Sequence, residues 1–155
     1  MKKLALVLLI CLTALTLTGC ASGDKNGASN AGTTAQVQKI DLDLSQMSGT
    51  IVYSQVSNIL ADPSAYTGKV IKMTGYYDVF EDTSSGNTYF SCIIPDATAC
   101  CAQGFEFVWA GEHAYPNDYP APGTGVTVTG RFETYTEDEY LYVHLVDADV
   151  EWDKA

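Results

Sequence analysis

Residues 70–80, VIKMTGYYDVF, carry the reading that decides the fold. Ile71, Met73, Tyr77 and Val79 recur at period two, so they share one face of a β-strand, with Gly75 in the middle of the run. Residues 126–135, VTVTGRFETY, repeat the design: Val126, Val128, Gly130 and Phe132 fall on one face. The runs share the form (I/V)-x-(M/V)-T-G with an aromatic residue one or two places on. A glycine inside a strand marks a bulge or a sharp coil of the sheet, which lets one long strand serve two halves of a small barrel.

Working outward, residues 88–94 and 105–109 supply two strands between these, and residues 140–152 supply the last. Ser85-Gly86-Asn87 reads as the turn after the first strand, and Glu137-Asp138-Glu139 as the charged tip of the final hairpin. Five strands, with the first and fourth coiled at a glycine, predict an all-β, five-stranded OB-like Greek-key barrel. Residues 110–124, AGEHAYPNDYPAPGT, hold too much Pro and Gly for the helix that often joins the third and fourth strands. Upstream, Val52, Val56, Ile59 and Leu60 lie at helical spacing before Asp62-Pro63. One short N-terminal helix is therefore expected to cap the barrel.

The N-terminus is of another kind. Lys2 and Lys3 precede an apolar run, Leu4 to Leu17, too short to be retained as a membrane span. Leu17-Thr18-Gly19-Cys20 resembles the bacterial lipobox, in which the Cys thiol takes a diacylglycerol before cleavage. The expected organisation is a lipoprotein signal peptide at 1–19, lipidated Cys20 with a disordered tether at 20–49, and the barrel domain at 50–155. Residues 21–38 are small and polar, with too little to bury. Cleavage removes two of eight basic residues and none of nineteen acidic ones, leaving a net charge of about −13. Such a surface repels nucleic acid and anionic headgroups, so the two acyl chains must supply the membrane attachment. The expected location is the outer side of a cell membrane, and Ala21 after the lipidated Cys resembles the pattern of outer-membrane lipoproteins.

Pro95-Asp96-Ala97-Thr98-Ala99-Cys100-Cys101-Ala102-Gln103-Gly104, followed by Phe105, Phe107, Trp109 and Tyr115-Pro116, resembles a group of small exported bacterial lipoproteins with an OB-like domain. The likeness runs over residues 51–151. That group implies a fold and a location but no activity. The Cys-Cys-Ala element is also similar to one in exported accessory proteins of two-part permeases, which implies a membrane-protein partner.

Cys92, Cys100 and Cys101 are the chemically informative side chains of the domain. In an oxidising compartment Cys92 can bridge to Cys100 or Cys101. Alternatively the three thiols, joined by His113 or Glu106, form a soft shell for zinc or copper. In the third reading Cys92 is a small core hydrophobe and the pair fixes a turn. His113 and His144 stand outside any nucleophile motif, and no phosphate-binding or hydrolase fingerprint is present. Asp147, Asp149, Glu151 and Asp153 share a strand face, a pattern that more often shields an edge strand than binds calcium. Tyrosine is abundant, ten in all, and suits half-wet surfaces that stack sugars, peptides or a protein partner. The expectation is a non-enzymatic, membrane-anchored binding or accessory module without a cofactor, its ligand held near Trp109, His113 and Tyr115. The alternative is a metal-handling or redox accessory of a transporter, working through the Cys100-Cys101 loop.

Overall fold

The computed structural model describes residues 39–154. The expected signal peptide, Cys20 and most of the tether lie outside the described residues. The fold is mostly β, with one α-helix and a six-stranded mixed sheet. In chain order the elements are β1 (Leu42–Asp43), α1 (Gly49–Ala61), a 3-10 turn (Pro63–Ala65), β2 (Val70–Glu81), β3 (Thr88–Pro95), β4 (Ala102–Trp109), β5 (Gly125–Glu137) and β6 (Tyr140–Trp152). Among the described residues, no helix is long and apolar enough to cross a membrane.

β2 pairs antiparallel with β5 from Val70 to Tyr76 and with β3 from Tyr76 to Glu81, so one strand serves two partners in succession. Gly75 sits at the changeover. A Cβ there would lie 2.5 Å from the Ile93 carbonyl oxygen and 2.9 Å from the Cys92 sulfur, so only a glycine lets β3 approach. From β3 the pairing passes to β4, from β4 in parallel to β6, and from β6 to β5. The β5–β6 ladder slips between Thr129 and Arg131, and the extra residue is on β6, where Asp147 adopts φ 50°. The bulge therefore faces the interior glycine, Gly130, instead of containing it. It also changes the inward parity of β6, from Leu145 to Ala148 and Val150, so Asp147 leaves the acidic row to pair with Arg131 at 2.8 Å.

Alternation puts Ile71, Met73, Tyr77, Phe105, Phe107, Val126, Val128 and Phe132 inside, each such side chain contributing about 1.5–3 kcal/mol on burial. α1 adds Val52, Val56 and Ile59 to that core, while Leu60, expected on the same face, is 37% exposed. Pro63 ends the helix, as Asp62-Pro63 requires.

One boundary and the strand count differ from the expectation. β1 runs parallel to β2, with Leu42 opposite Ile71, and Leu44 is buried, so the folded region begins within the 20–49 segment rather than at residue 50. The sheet accordingly has six strands, not five.

Candidate functional site

The outward positions of β3, β4, β5 and β6 meet on one face. Glu106 of β4 stands beside Ser91 of β3 and His144 of β6, and His144 beside Glu133 of β5. Two hollows open there, one of about 420 Å³ reaching Trp109 and His113, the other of about 310 Å³ reaching Phe80, Asp138 and Tyr142. Tyr89, Glu106, Tyr135 and Glu137 line both.

These four side chains form two hydrogen-bonded pairs. The Tyr135 hydroxyl donates to Glu106 Oε2 at 2.6 Å, and the Tyr89 hydroxyl donates to both Glu137 oxygens at 2.8 and 2.7 Å. The Asn87 amide donates to Glu137 at 3.2 Å, tying the β2–β3 turn to the β5–β6 tip. Tyr135 also packs on Tyr142, at 5.4 Å between ring centroids, and on His144, at 4.7 Å.

Burial raises the Glu106 pKa; the Tyr135 hydrogen bond opposes this, and the neighbouring Glu137 charge adds to it. Burial and the Glu106 carboxylate push Tyr135 up, so its hydroxyl remains a donor. His144 is lowered by burial, which favours the neutral ring. No lysine or arginine lines either hollow. Among the described residues the ion pairs are those of Arg131 with Glu133 and Asp147. Electron-rich ring faces and uncompensated carboxylates together suit a cationic guest.

Of the three expected ligand-binding residues, Trp109 and His113 line the larger hollow and Tyr115 does not. The His113 ring lies flat on Trp109 at 3.5 Å and 8°, with Nε2 3.0 Å from the Ala110 carbonyl oxygen. Tyr115 packs on Phe90 at 5.5 Å and donates to Glu81 at 2.9 Å, while Tyr119 stacks on Phe90 at 4.2 Å. These two tyrosines strap the Pro-rich loop to the sheet. Glu106, considered only as a metal ligand, and His144, set aside as outside any nucleophile motif, both line the larger hollow.

The three thiols are free and fall in two places. Cys92 is wholly buried, which pushes its thiol up to about 12. It faces Phe105, three rungs from the Pro95–Ala102 end of the hairpin. That is roughly 10 Å along the strand, whereas a disulfide spans about 4.4–6.8 Å between Cα atoms. Cys92 is a core residue in this arrangement and has no bridge to Cys100 or Cys101. His113 lies beyond the opposite end of β4, so it does not join them either. Asp96 does: its carboxylate and the sulfurs of Cys100 and Cys101 lie within 4.8 Å of one another.

No protein-family model matches the chain, and no curated protein matches it significantly.

Proposed function

We propose that this chain is a lipid-anchored extracytoplasmic binding module, non-enzymatic, that holds a small organic cation in the cleft between Trp109 and the Tyr135–Glu106 pair. The single observation that carries the reading is a cleft of about 420 Å³ with aromatic walls, two carboxylates and no lysine or arginine in its lining. Each favourable cation–ring contact contributes about 0.5–2 kcal/mol.

The reading also treats the path β2-β3-β4-β6-β5, returning to β2, as an OB-like Greek-key barrel to which β1 is added. On such a barrel the second and third strands and the loops flanking them are the usual binding surface. Here those are β3, β4, the 82–87 turn and the 138–139 tip, which border the two hollows. The acidic surface favours a cation over nucleic acid. Lipidation at Cys20 would keep the site within a tether's length of the membrane.

Trp109 lines the cleft, so its fluorescence is the readout. Titration with a quaternary ammonium ion such as choline is expected to shift the emission, whereas a neutral disaccharide and a dicarboxylate leave it unchanged. Tyr135→Ala and Glu106→Gln should each weaken choline binding by roughly 3- to 30-fold, while Cys100→Ser leaves it intact. Binding of the disaccharide alone would reject the cationic ligand and keep the cleft; no response to any of the three rejects both. Cys20→Ser should release the chain from the membrane fraction.

A further inference from the structure

The hairpin tip that joins β3 to β4, Asp96 to Cys101, is closed on the same plan as the 82–87 turn, an aspartate binding the loop from its first position, but it carries two adjacent cysteines. The Asp96 N–H donates to the Cys101 carbonyl at 2.8 Å, closing the loop. Its carboxylate Oδ1 accepts the Cys100 N–H at 2.9 Å and the Thr98 N–H at 3.1 Å. These bonds hold the carboxylate inside the turn, beside the thiols. Ala99 adopts φ 55°, a left-handed conformation that a residue with a Cβ rarely takes, and it turns the chain back just before the two cysteines. Both cysteines are exposed, and their sulfurs stand 3.4 Å apart.

Tetrahedral zinc, with Zn–S near 2.3 Å and Zn–O near 2.1 Å, sets its donors about 3.5–3.8 Å apart. The tip already holds two sulfurs 3.4 Å apart and a carboxylate oxygen within 4.8 Å of both, so loading asks only for a small inward turn of these side chains. The mixed set also selects the metal: a carboxylate suits cuprous copper poorly, and two thiolates suit calcium and magnesium poorly, whereas zinc accepts both donor types. We propose that Asp96, Cys100 and Cys101 form a three-ligand zinc site with its fourth position open to water or to a donor from another molecule. Loading forms two Zn–S bonds and one Zn–O bond, and the two thiol protons pass to solvent. Three protein ligands at an exposed tip make the ion exchangeable, in contrast to a closed four-ligand structural site. The site is independent of the cation cleft, which lies on the outer face of the sheet and shares none of these residues.

The test uses the full chain, purified with reduced thiols under inert gas, and Zn²⁺ alone in competition with a chromogenic chelator. One equivalent of tip-bound zinc is expected, lost at least about 100-fold in affinity in Cys100→Ser and in Cys101→Ser, and weakened about tenfold in Asp96→Asn. Asn retains a side-chain oxygen to accept the turn's N–H bonds, so that variant removes the anionic ligand and keeps the loop. Cys92→Ala should leave zinc binding unchanged, and replacing zinc by cobalt should give a thiolate-to-metal absorption band that Cys100→Ser abolishes. Failure to bind zinc with both tip thiols titratable overturns the proposal, as does an affinity that survives either serine variant. An affinity unaltered in Asp96→Asn overturns the ligand set.

Discussion

Glu106 bears a cost for its position. Half-buried on β4 and bonded to Tyr135, it has a folded pKa above its ordinary 4.5, first because of burial and then because of the Glu137 charge. The folded chain therefore binds that proton more tightly than the unfolded chain does, and the ionised carboxylate subtracts stability at neutral pH. The penalty is relieved as pH falls through the raised value. Glu106→Gln is thus expected to raise the melting temperature at pH 7, through a gain in unfolding free energy of less than about 1 kcal/mol because the site is still wet. The gain should vanish below 4.5, where the wild-type carboxyl is protonated in both states. His144, across the β4–β6 ladder, has the opposite sign: its pKa is lowered, so the unfolded chain takes up its proton first and stability is lost as pH falls through the ordinary 6.5. Thermal melts of the wild type and Glu106→Gln between pH 4 and 8 separate the two slopes. Under the proposed reading the same carboxylate faces the bound cation, so the variant should also weaken cation binding.

At the scale of the element, the glycines divide into two kinds. Gly75 is a contact glycine: it has no positive φ, and a side chain there would strike the β3 backbone. Gly86 is a conformational glycine, at φ 78° with nothing within 4 Å of the place a Cβ would occupy. Gly75→Val should cost about 3 kcal/mol or more, by overpacking against the Ile93 carbonyl and by parting β2 from β3. Gly86→Ala should cost about 1–2 kcal/mol, the price of a left-handed backbone. Urea unfolding of the two variants measures the difference. Gly75 was legible in the sequence because period-two alternation continues on both sides of it, and so were β2, β5 and the helix face at Val52, Val56 and Ile59. The Asp147 bulge was not, because the run from Asp147 to Asp153 keeps a perfect alternation that only the partner strand's register interrupts. The cleft was hidden for the same reason. Tyr89, Glu106, Tyr135 and His144 come from four strands, and nothing local to any of them announces that pairing will bring them together. Trp109 at the end of β4 and His113 four residues on both line the larger hollow, while the Tyr115 ring holds the loop to the sheet.

For the whole molecule, the short β1 has an influence out of proportion to its length. Before β3 takes over at Tyr76, the first half of β2 has β5 on one side and would present a bare edge on the other. β1 covers it: the Asp41 N–H donates to the Val70 carbonyl at 2.9 Å, the Leu44 N–H donates to the Lys72 carbonyl at 2.7 Å, and the Val70 N–H donates to the Asp41 carboxylate at 2.9 Å. The alternation Ile40-Asp41-Leu42-Asp43-Leu44 marks this strand in the sequence, but it is short and falls within the segment expected to be a tether. Leu44 then turns into the core, 1% exposed, beside the helix that follows. Removing its side chain should therefore be a core mutation: Leu44→Ala is expected to lower the unfolding free energy by about 2–4 kcal/mol. Deleting residues 39–47 should cost more and should also expose the β2 edge to a second chain. Urea denaturation reads the first effect, and sedimentation of the deleted chain over a range of concentrations reads the second. Stability of Leu44→Ala equal to that of the wild type would return residues 40–49 to the tether and leave β1 an incidental pairing. Loss of stability without association would leave it as core packing alone, and loss with association would make it the segment that both completes the core and keeps the sheet from pairing with a neighbour.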